Sequence, residues 1–261
     1  MQAMIFAAGM GTRLKPLTDV IPKALVPVSG RPLLQHTIER LTAAGCTDIV
    51  VNVHHHAEQI RNFIATTTQH WGARIRISDE SDQLLDTGGA IRHALPLLRE
   101  EERFLIHNCD ILSNVNLSDF WQAGNQADAT LLVSERDTQR YLIFDGDMRL
   151  VGWTNIKTGE VKSPFPAVHQ AFNPDYLATE VPYNFATAPS APGMYHLLAF
   201  SGIHQMTTAF AEEMQTWPDK FSIIDYYLAQ CATHDIRGYM QPDLRLLDVG
   251  KLDTLAQAES F

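Results

Sequence analysis

The stretch Gly9-Met10-Gly11-Thr12-Arg13-Leu14-Lys15-Pro16-Leu17-Thr18, closed by Pro22-Lys23, constrains this chain more than any other. It follows Met4-Ile5-Phe6-Ala7-Ala8, an apolar run of the length of a buried strand, and precedes an amphipathic pattern from Pro32 to Leu41. The helix runs to about Ala44, where Gly45 caps it, and Asp48 to Val53 forms the next buried strand. A strand, a glycine loop, a helix and a second strand make a β-α-β opening, which requires a parallel sheet.

The loop has a chemistry of its own. Without a Cβ, Gly9 and Gly11 let the backbone take positive φ and bring N–H groups close to an anion, as phosphate-cradling loops do. Arg13 adds a planar fork suited to phosphate oxygens, and Lys15 and Lys23 add compact point charges. Together they describe a polyphosphate site. It is not the dinucleotide fingerprint G-x-G-x-x-G, because Leu14 stands at the third glycine, and no G-x-x-x-x-G-K-[ST] string lies near the N-terminus. The alternative, a glycine turn with solvated basic residues, leaves those side chains without a common target.

At 261 residues and 45% hydrophobic content the chain can bury a large core, as one α/β domain or one domain with two lobes. A formal net charge of -10 argues against binding nucleic acid or an anionic membrane through a broad basic face, so a phosphate ligand must meet a local basic cluster. Cys46, Cys109 and Cys231 lack C-x-x-C spacing, which suggests neither disulfides nor zinc and fits a reducing cytoplasm. No basic-then-apolar leader or spanning apolar run is present, so a soluble, cytoplasmic protein is expected.

Further along, His54-His55-His56 follows a strand at the end where α/β sheets bind ligands. Consecutive residues point to opposite faces and do not converge on one ion, so the expectation is a helix start, running from Ala57 to Ala65. Ala73 to Ser78 reads as a strand, and Gly88-Gly89 as the opening of a helix from Ala90 to Leu98 whose N-terminus faces an anion. Arg103 to Asp110 is a strand ending in a carboxylate, which either holds a cation or caps the next turn. Thr154 to Met194, dense in proline and aromatic residues, reads as a lid or arm over the substrate or as a disordered insertion. Helices are expected from Thr207 to Met214 and from Ser222 to Thr233, and a strand from Asp235 to Met240.

The string G-x-G-T-R-L-x-P-L-T followed by P-K resembles the signature of the sugar-1-phosphate nucleotidyltransferases. The resemblance covers nearly the whole chain except about Thr154 to Met194, and Leu247-Asp248-Val249-Gly250 is similar to the family's closing motif. It implies an α/β, Rossmann-like, mixed but mostly parallel sheet flanked by helices, of the GT-A-like kind. One domain of residues 1–261 is expected, with a nucleotide-binding half at 1–153 and a sugar-binding half at 154–261 that carries the irregular arm 154–194.

By the same resemblance, Ala8, Gly9, Gly11, Thr12, Arg13, Gly88, Gly89 and Asn108 bind the nucleotide. Glu80 is either a base contact or an exposed acidic loop residue. Arg13 and Lys23 are the catalytic cations: Arg13 steadies the departing β,γ-phosphates, and Lys23 holds the α-phosphate against the attacking phosphate. Asp110 and Asp248 hold Mg²⁺, the implied cofactor. Lys23, Asn155, Lys157 and Gly202 contact the sugar phosphate, with Lys157 read equally as a solvated hairpin lysine. Cys109 stands where the family has glycine.

Among subfamilies the chain is most similar to the N-acetylmuramate-1-phosphate uridylyltransferases of peptidoglycan recycling, through Leu85 to Ile91, Ala94 to Leu98 and Phe200 to Ile203. The expected substrates are UTP and a sugar-1-phosphate, in a monomer or weak homo-oligomer without nucleic-acid or membrane partners. A guanylyltransferase acting on heptose- or mannose-1-phosphate is the enzymatic alternative, with a cytidylyltransferase more distant. A regulatory module that binds nucleotide-sugars without catalysis is the non-enzymatic one.

Overall fold

The computed structural model describes residues 1–67, 71–98, 100–172 and 195–261. Strand β1 (Gln2–Phe6) leads through short 3-10 turns to the hairpin β2 (Pro27–Val28) and β3 (Arg31–Pro32), then to α1 (Leu33–Ala43). Next come β4 (Asp48–Val53), α2 (Ala57–Thr67), β5 (Arg74–Asp79), α3 (Asp86–Ala94), β6 (Arg103–Asn108) and β7 (Ile111–Ser113). They are followed by α4 (Leu117–Ala123), β8 (Ala129–Ser134), β9 (Arg140–Phe144), β10 (Leu150–Asn155), β11 (Glu160–Lys162) and α5 (Pro166–Ala171). The chain ends with β12 (His196–Thr207), α6 (Thr208–Glu212), α7 (Ile223–Gln230), β13 (Ile236–Met240), β14 (Leu246–Asp248) and α8 (Leu252–Ala258).

These elements build the α/β, mixed sheet that the sequence implies. Its order is β11-β10-β9-β12-β6-β1-β4-β5, with β8 beside β12 and β13 beside β8. β6, β1, β4 and β5 run parallel, as the β-α-β opening requires, whereas β12 enters antiparallel to β6. Alternation splits β1 between two cores: Ala3 and Ile5 pack with α1 and α2 on one face, and Met4 packs with α3 and α7 on the other. β4 is buried along its whole length, which its Ile49-Val50-Val51 run demands.

The region expected to be least regular begins in ordered structure, because β10, β11 and α5 occupy much of 154–171. The division drawn at 153–154 falls inside β10. Residues 173–194 of the expected arm, including Pro174, Tyr176, Pro182, Tyr183 and Phe185, lie outside the described residues. No described helix is long and apolar enough to cross a membrane.

Candidate active site

β1 ends at Phe6, and the turn that follows is held by a side chain from the neighbouring strand. Asn52, 2% exposed near the end of β4, accepts the N–H groups of Ala7 at 2.7 Å and Ala8 at 3.2 Å. Its Nδ2 donates to Glu80 Oε1 at 2.7 Å, and Glu80 Oε2 accepts the N–H of Leu85 at 3.4 Å. Glu80 is therefore buried rather than an exposed loop residue; burial pushes its carboxyl above the usual range, against the opposing hydrogen bonds of Asn52 and Leu85. The N–H of Ala8 is turned onto Asn52, and Ala8 lines the cleft.

Beyond the turn, Gly11 takes φ +62°, and a Cβ there would lie 2.8 Å from Thr18 Cγ2 and 3.0 Å from the Cβ of Lys23. Only glycine satisfies both the angle and the space. The carbonyl of Gly11 accepts from Leu14 N–H and from Thr18 Oγ1, each at 2.8 Å, which fixes the loop in a tight curl. Residues 6–13, with Lys23, Asn52, Glu80, Thr87, Asn108 and Asp110, line a cleft of about 560 Å³ at the carboxyl ends of β1 and β6. Gly9, Thr12 and Arg13 are thus placed on the cleft wall. Lys15 is not: it pairs with Asp19 at 2.9 Å, outside the lining.

Lys23, 8% exposed, donates its ammonium to Asp110 Oδ2 at the floor of this cleft. The second carboxylate arrives from the end of the chain. β14 pairs antiparallel with β7, which sets Asp248 opposite Ile111, and the N–H of Val249 donates to the Asp110 carbonyl at 2.8 Å. Asp248 Oδ1 is buried and has no hydrogen-bond partner, a costly state for a carboxylate that a cation would relieve. A Cβ on Gly250 would stand 2.6 Å from that oxygen and 2.8 Å from Arg13 Nη2, so the Arg13 guanidinium, Asp248 and the bare Gly250 backbone converge on one spot.

The described residues hold no cluster of three or more metal-ligating side chains. Two carboxylates and substrate oxygens would have to complete the shell of a hard cation, for which the orphaned Asp248 oxygen offers a ligand position. Cys109, between Asn108 and Asp110, is 4% exposed; burial and the adjacent Asp110 push its thiol up to about 12, so it stays protonated and serves as packing.

The helix after Glu80 corrects the sequence reading. α3 begins at Asp86, not Ala90, and Gly88 and Gly89 lie buried in its first turn. Their N–H groups donate to the carbonyl of Phe221, at 2.9 and 3.3 Å, and so do not contact a base or phosphate. A Cβ on Gly88 would overlap the Phe221 ring, and one on Gly89 would overlap the Asp219 carbonyl. The two glycines exist to let the 217–221 loop close on α3. Arg92 ties the same loop down through the Trp217 carbonyl at 2.6 Å and through Asp219, and Thr87 Oγ1 accepts the N–H of Ile223 at 2.9 Å.

This docking places Lys220 on the cleft wall, a cation that nothing in the string Pro218-Asp219-Lys220-Phe221 marks out. Gly89→Ala is expected to destabilise the protein by about 1–3 kcal/mol, because the Asp219 backbone must move to admit the methyl group. Urea unfolding measures that loss, and an unchanged midpoint would refute the packing role.

Of the residues expected at the sugar phosphate, Lys23 lines the cleft, Gly202 is buried behind its Asn108 wall, and Asn155 and Lys157 lie elsewhere. Gly202, at φ +74°, sits where the register of β12 against β8 breaks between Phe200 and His204, and its Cβ position is 2.8 Å from Asn108 Nδ2. Asn155 instead shapes the β10–β11 hairpin, its Oδ1 accepting Lys157 N–H at 3.1 Å, and it lines a second cavity. Lys157 is exposed in that hairpin turn, away from both linings, so the solvated-lysine reading is the one observed. Of the three histidines, His54 bonds the Glu80 carbonyl at 2.6 Å, while the His55 and His56 rings meet tilted, with centroids 4.0 Å apart.

Comparison with known proteins bears on this geometry. The chain is 43% identical over 130 residues to the N-acetylmuramate alpha-1-phosphate uridylyltransferase of Caulobacter vibrioides, a match covering 49% of this chain and 50% of that protein. It is 37% identical over 120 residues to the mannose-1-phosphate guanyltransferase of Gibberella zeae, covering 46% of this chain and 33% of that one. The matched regions therefore span half or less of these curated relatives. In fold it is similar to the crystal structure of HddC from Yersinia pseudotuberculosis complexed with GMP-PN, with a TM-score of 0.73, 21% identity and coverage of 99% and 98%. The model of the family described as "Nucleotidyl transferase" matches residues 2–142, more than half of the chain and including β1, β4 and β6, so this protein belongs to that family.

Proposed function

We propose that the protein joins a nucleoside triphosphate to a sugar-1-phosphate, giving a nucleotide-sugar and pyrophosphate, and that UTP and N-acetylmuramate-1-phosphate are the pair it uses. The observation that carries this reading is the pairing of Lys23 with Asp110 under the glycine loop, beside the unpartnered Asp248 oxygen. Two polyanions must meet for such a transfer, and the obstacle is their mutual repulsion rather than any difficult bond activation.

A sugar phosphate oxygen attacks the α-phosphorus, and pyrophosphate leaves on the opposite side. Lys23 holds the α-phosphate and the incoming phosphate together. Arg13, on the loop, takes the charge that builds on the leaving β,γ-phosphates. Gly9 and Gly11 keep the loop backbone close enough to touch phosphate oxygens, and Lys220 adds positive charge to the lining. No general base is needed, because a sugar phosphate is already ionised at neutral pH. Asp110 and Asp248 would hold Mg²⁺, which when bound supplies charge neutralisation and orientation of phosphate oxygens.

On the base side, Ala8 and the buried Glu80 flank the nucleotide end of the cleft. We assign the reaction to the cytoplasm and to peptidoglycan recycling, on the strength of the uridylyltransferase likeness. The likeness to mannose-1-phosphate guanyltransferases supports a second reading, GTP with mannose- or heptose-1-phosphate. Pyrophosphate release across a grid of four nucleoside triphosphates and N-acetylmuramate-, N-acetylglucosamine-, mannose- and heptose-1-phosphate decides between them. UTP with N-acetylmuramate-1-phosphate is the expected best pair, turnover is expected to stop when Mg²⁺ is chelated, and silence from folded protein that binds nucleotide would refute catalysis.

A further inference from the structure

A second cavity, about 530 Å³, opens between the β9–β11 meander and the start of α7. Its floor is apolar: Leu142, Trp153, Phe200, Ile224 and Leu228. Around that floor stand three cations, Arg136, Arg140 and Lys162, against two carboxylates, Glu160 and Asp225, so the lining carries an excess of one positive charge in a chain of net charge -10.

The cations are not equally engaged. Arg136 donates to the Phe200 carbonyl at 3.0 Å and is committed. Lys162 lies over the Trp153 ring, 5.2 Å from its centroid, and reaches Asp225 at 3.7 Å and Glu160 at 3.9 Å, pairs at the outer limit of contact that hold it weakly. Arg140 makes no side-chain hydrogen bond or ion pair with any described residue. Antiparallel pairing sets Arg140 across from Asn155, and Trp153 across from Lys162, so these side chains share one face of the meander.

This cavity adjoins the catalytic cleft along two chain segments. On β12, Phe200 lines the second cavity, and two residues later Gly202 touches Asn108 of the first. In the loop before α7, Lys220 lines the first cavity and Ser222 the second. Two residues of extended chain span about 7 Å at most, so the two linings stand side by side at both segments. A sugar whose C1 phosphate lies at Lys23 would thus extend a ring substituent toward Arg140 and Lys162.

We propose that the second cavity receives a carboxylate-bearing substituent of the sugar, read by Arg140 and Lys162 over the Trp153 floor. The proposal deepens the sugar-1-phosphate reading above and rests on it for where the phosphate lies. Its test compares N-acetylmuramate-1-phosphate with N-acetylglucosamine-1-phosphate, which lacks the acidic ether substituent. Calorimetric binding of each is measured on the wild-type chain, Arg140→Gln, Lys162→Gln and the double variant. Both side chains are solvent-accessible, so the variants keep the fold.

The acidic sugar is expected to bind the wild-type chain about tenfold more tightly than its neutral counterpart, a preference that each single variant reduces and the double variant abolishes. Affinity for the neutral sugar is expected to stay unchanged throughout. Equal affinity of the wild-type chain for both sugars, or variants that weaken both alike, would overturn the proposal. Pyrophosphate release is read separately: charge-selective binding without turnover would refute the transferase reading and leave the carboxylate site standing.

Discussion

Replacing Lys23 with methionine is expected to lower the rate of nucleotidyl transfer about a thousandfold, or about 4 kcal/mol of transition-state stabilisation. Methionine keeps the volume of the buried stem, so the loop and the Gly11 packing against the Cβ of residue 23 survive. What is lost is the ammonium that the proposed mechanism sets between two phosphates. Nucleotide affinity is expected to change less than tenfold, since Arg13 and the loop backbone remain. Single-turnover rates and nucleotide dissociation constants separate the two quantities. Weakened binding with an intact rate would make Lys23 a binding residue and sink its catalytic role. Asp110→Asn removes the partner of the same lysine, so the two substitutions are expected to be far from additive.

Acid is expected to destabilise the protein by about 4 kcal/mol between pH 7.5 and pH 5, about 2 kcal/mol from each of two buried histidines. His107 on β6 and His204 on β12 are both fully buried, and burial pushes their imidazoles down to about 4 and about 3. Their Nδ1 atoms face the Asn108 carbonyl at 2.8 Å and the Tyr227 hydroxyl at 2.6 Å, while both Nε2 atoms lack a partner. As pH falls through 6.5 the unfolded chain takes up two protons that the folded chain refuses. The associated stability is complete above 6.5; it is lost down to about 4 for His107 and about 3 for His204. Urea midpoints across this range measure the loss. His204→Phe lowers the starting stability, because the Tyr227 hydroxyl loses its partner, but is expected to halve the histidine contribution to the slope. A slope unmoved by that variant would refute the assignment.

The parallel heart of the fold was legible because its signals are local. Apolar runs such as Asp48 to Val53, the amphipathic helix after Pro32 and the capping Gly45 each declare themselves within a few residues. The loop with Arg13 and Lys23 was legible for the same reason. Gly88 and Gly89 show where such reading stops. Two glycines at the start of a helix look the same whether their amides face an anion or a distant carbonyl, and only the fold reveals that Phe221 is the partner. Asn52 had a signal, a polar residue in an otherwise apolar strand. Its meaning, a clamp between Ala7 and Glu80, depends on three strand ends meeting. Lys157 could be read two ways from sequence, and the hairpin turn after β10 leaves it exposed and off both cavity linings. Lys220 passed unnoticed because an isolated lysine in a loop carries no pattern.

The attachment of Asp248 has a consequence for how this protein loses activity. Among the described strands, β14 pairs only with the three-residue β7, in a sheet separate from the main one. So short a pairing opens far more readily than strands locked inside the central sheet, which open only with global unfolding. Amide exchange at Val249, whose N–H is held by the Asp110 carbonyl, should therefore outpace exchange at Val50 or Ile106 by orders of magnitude. Fraying of this segment carries away one carboxylate and, because Leu247 and Val249 pack in one cluster with Leu14, loosens the glycine loop as well. Heat or mild denaturant is then expected to abolish the proposed transfer well before the spectroscopic melting point, while the central sheet is still folded.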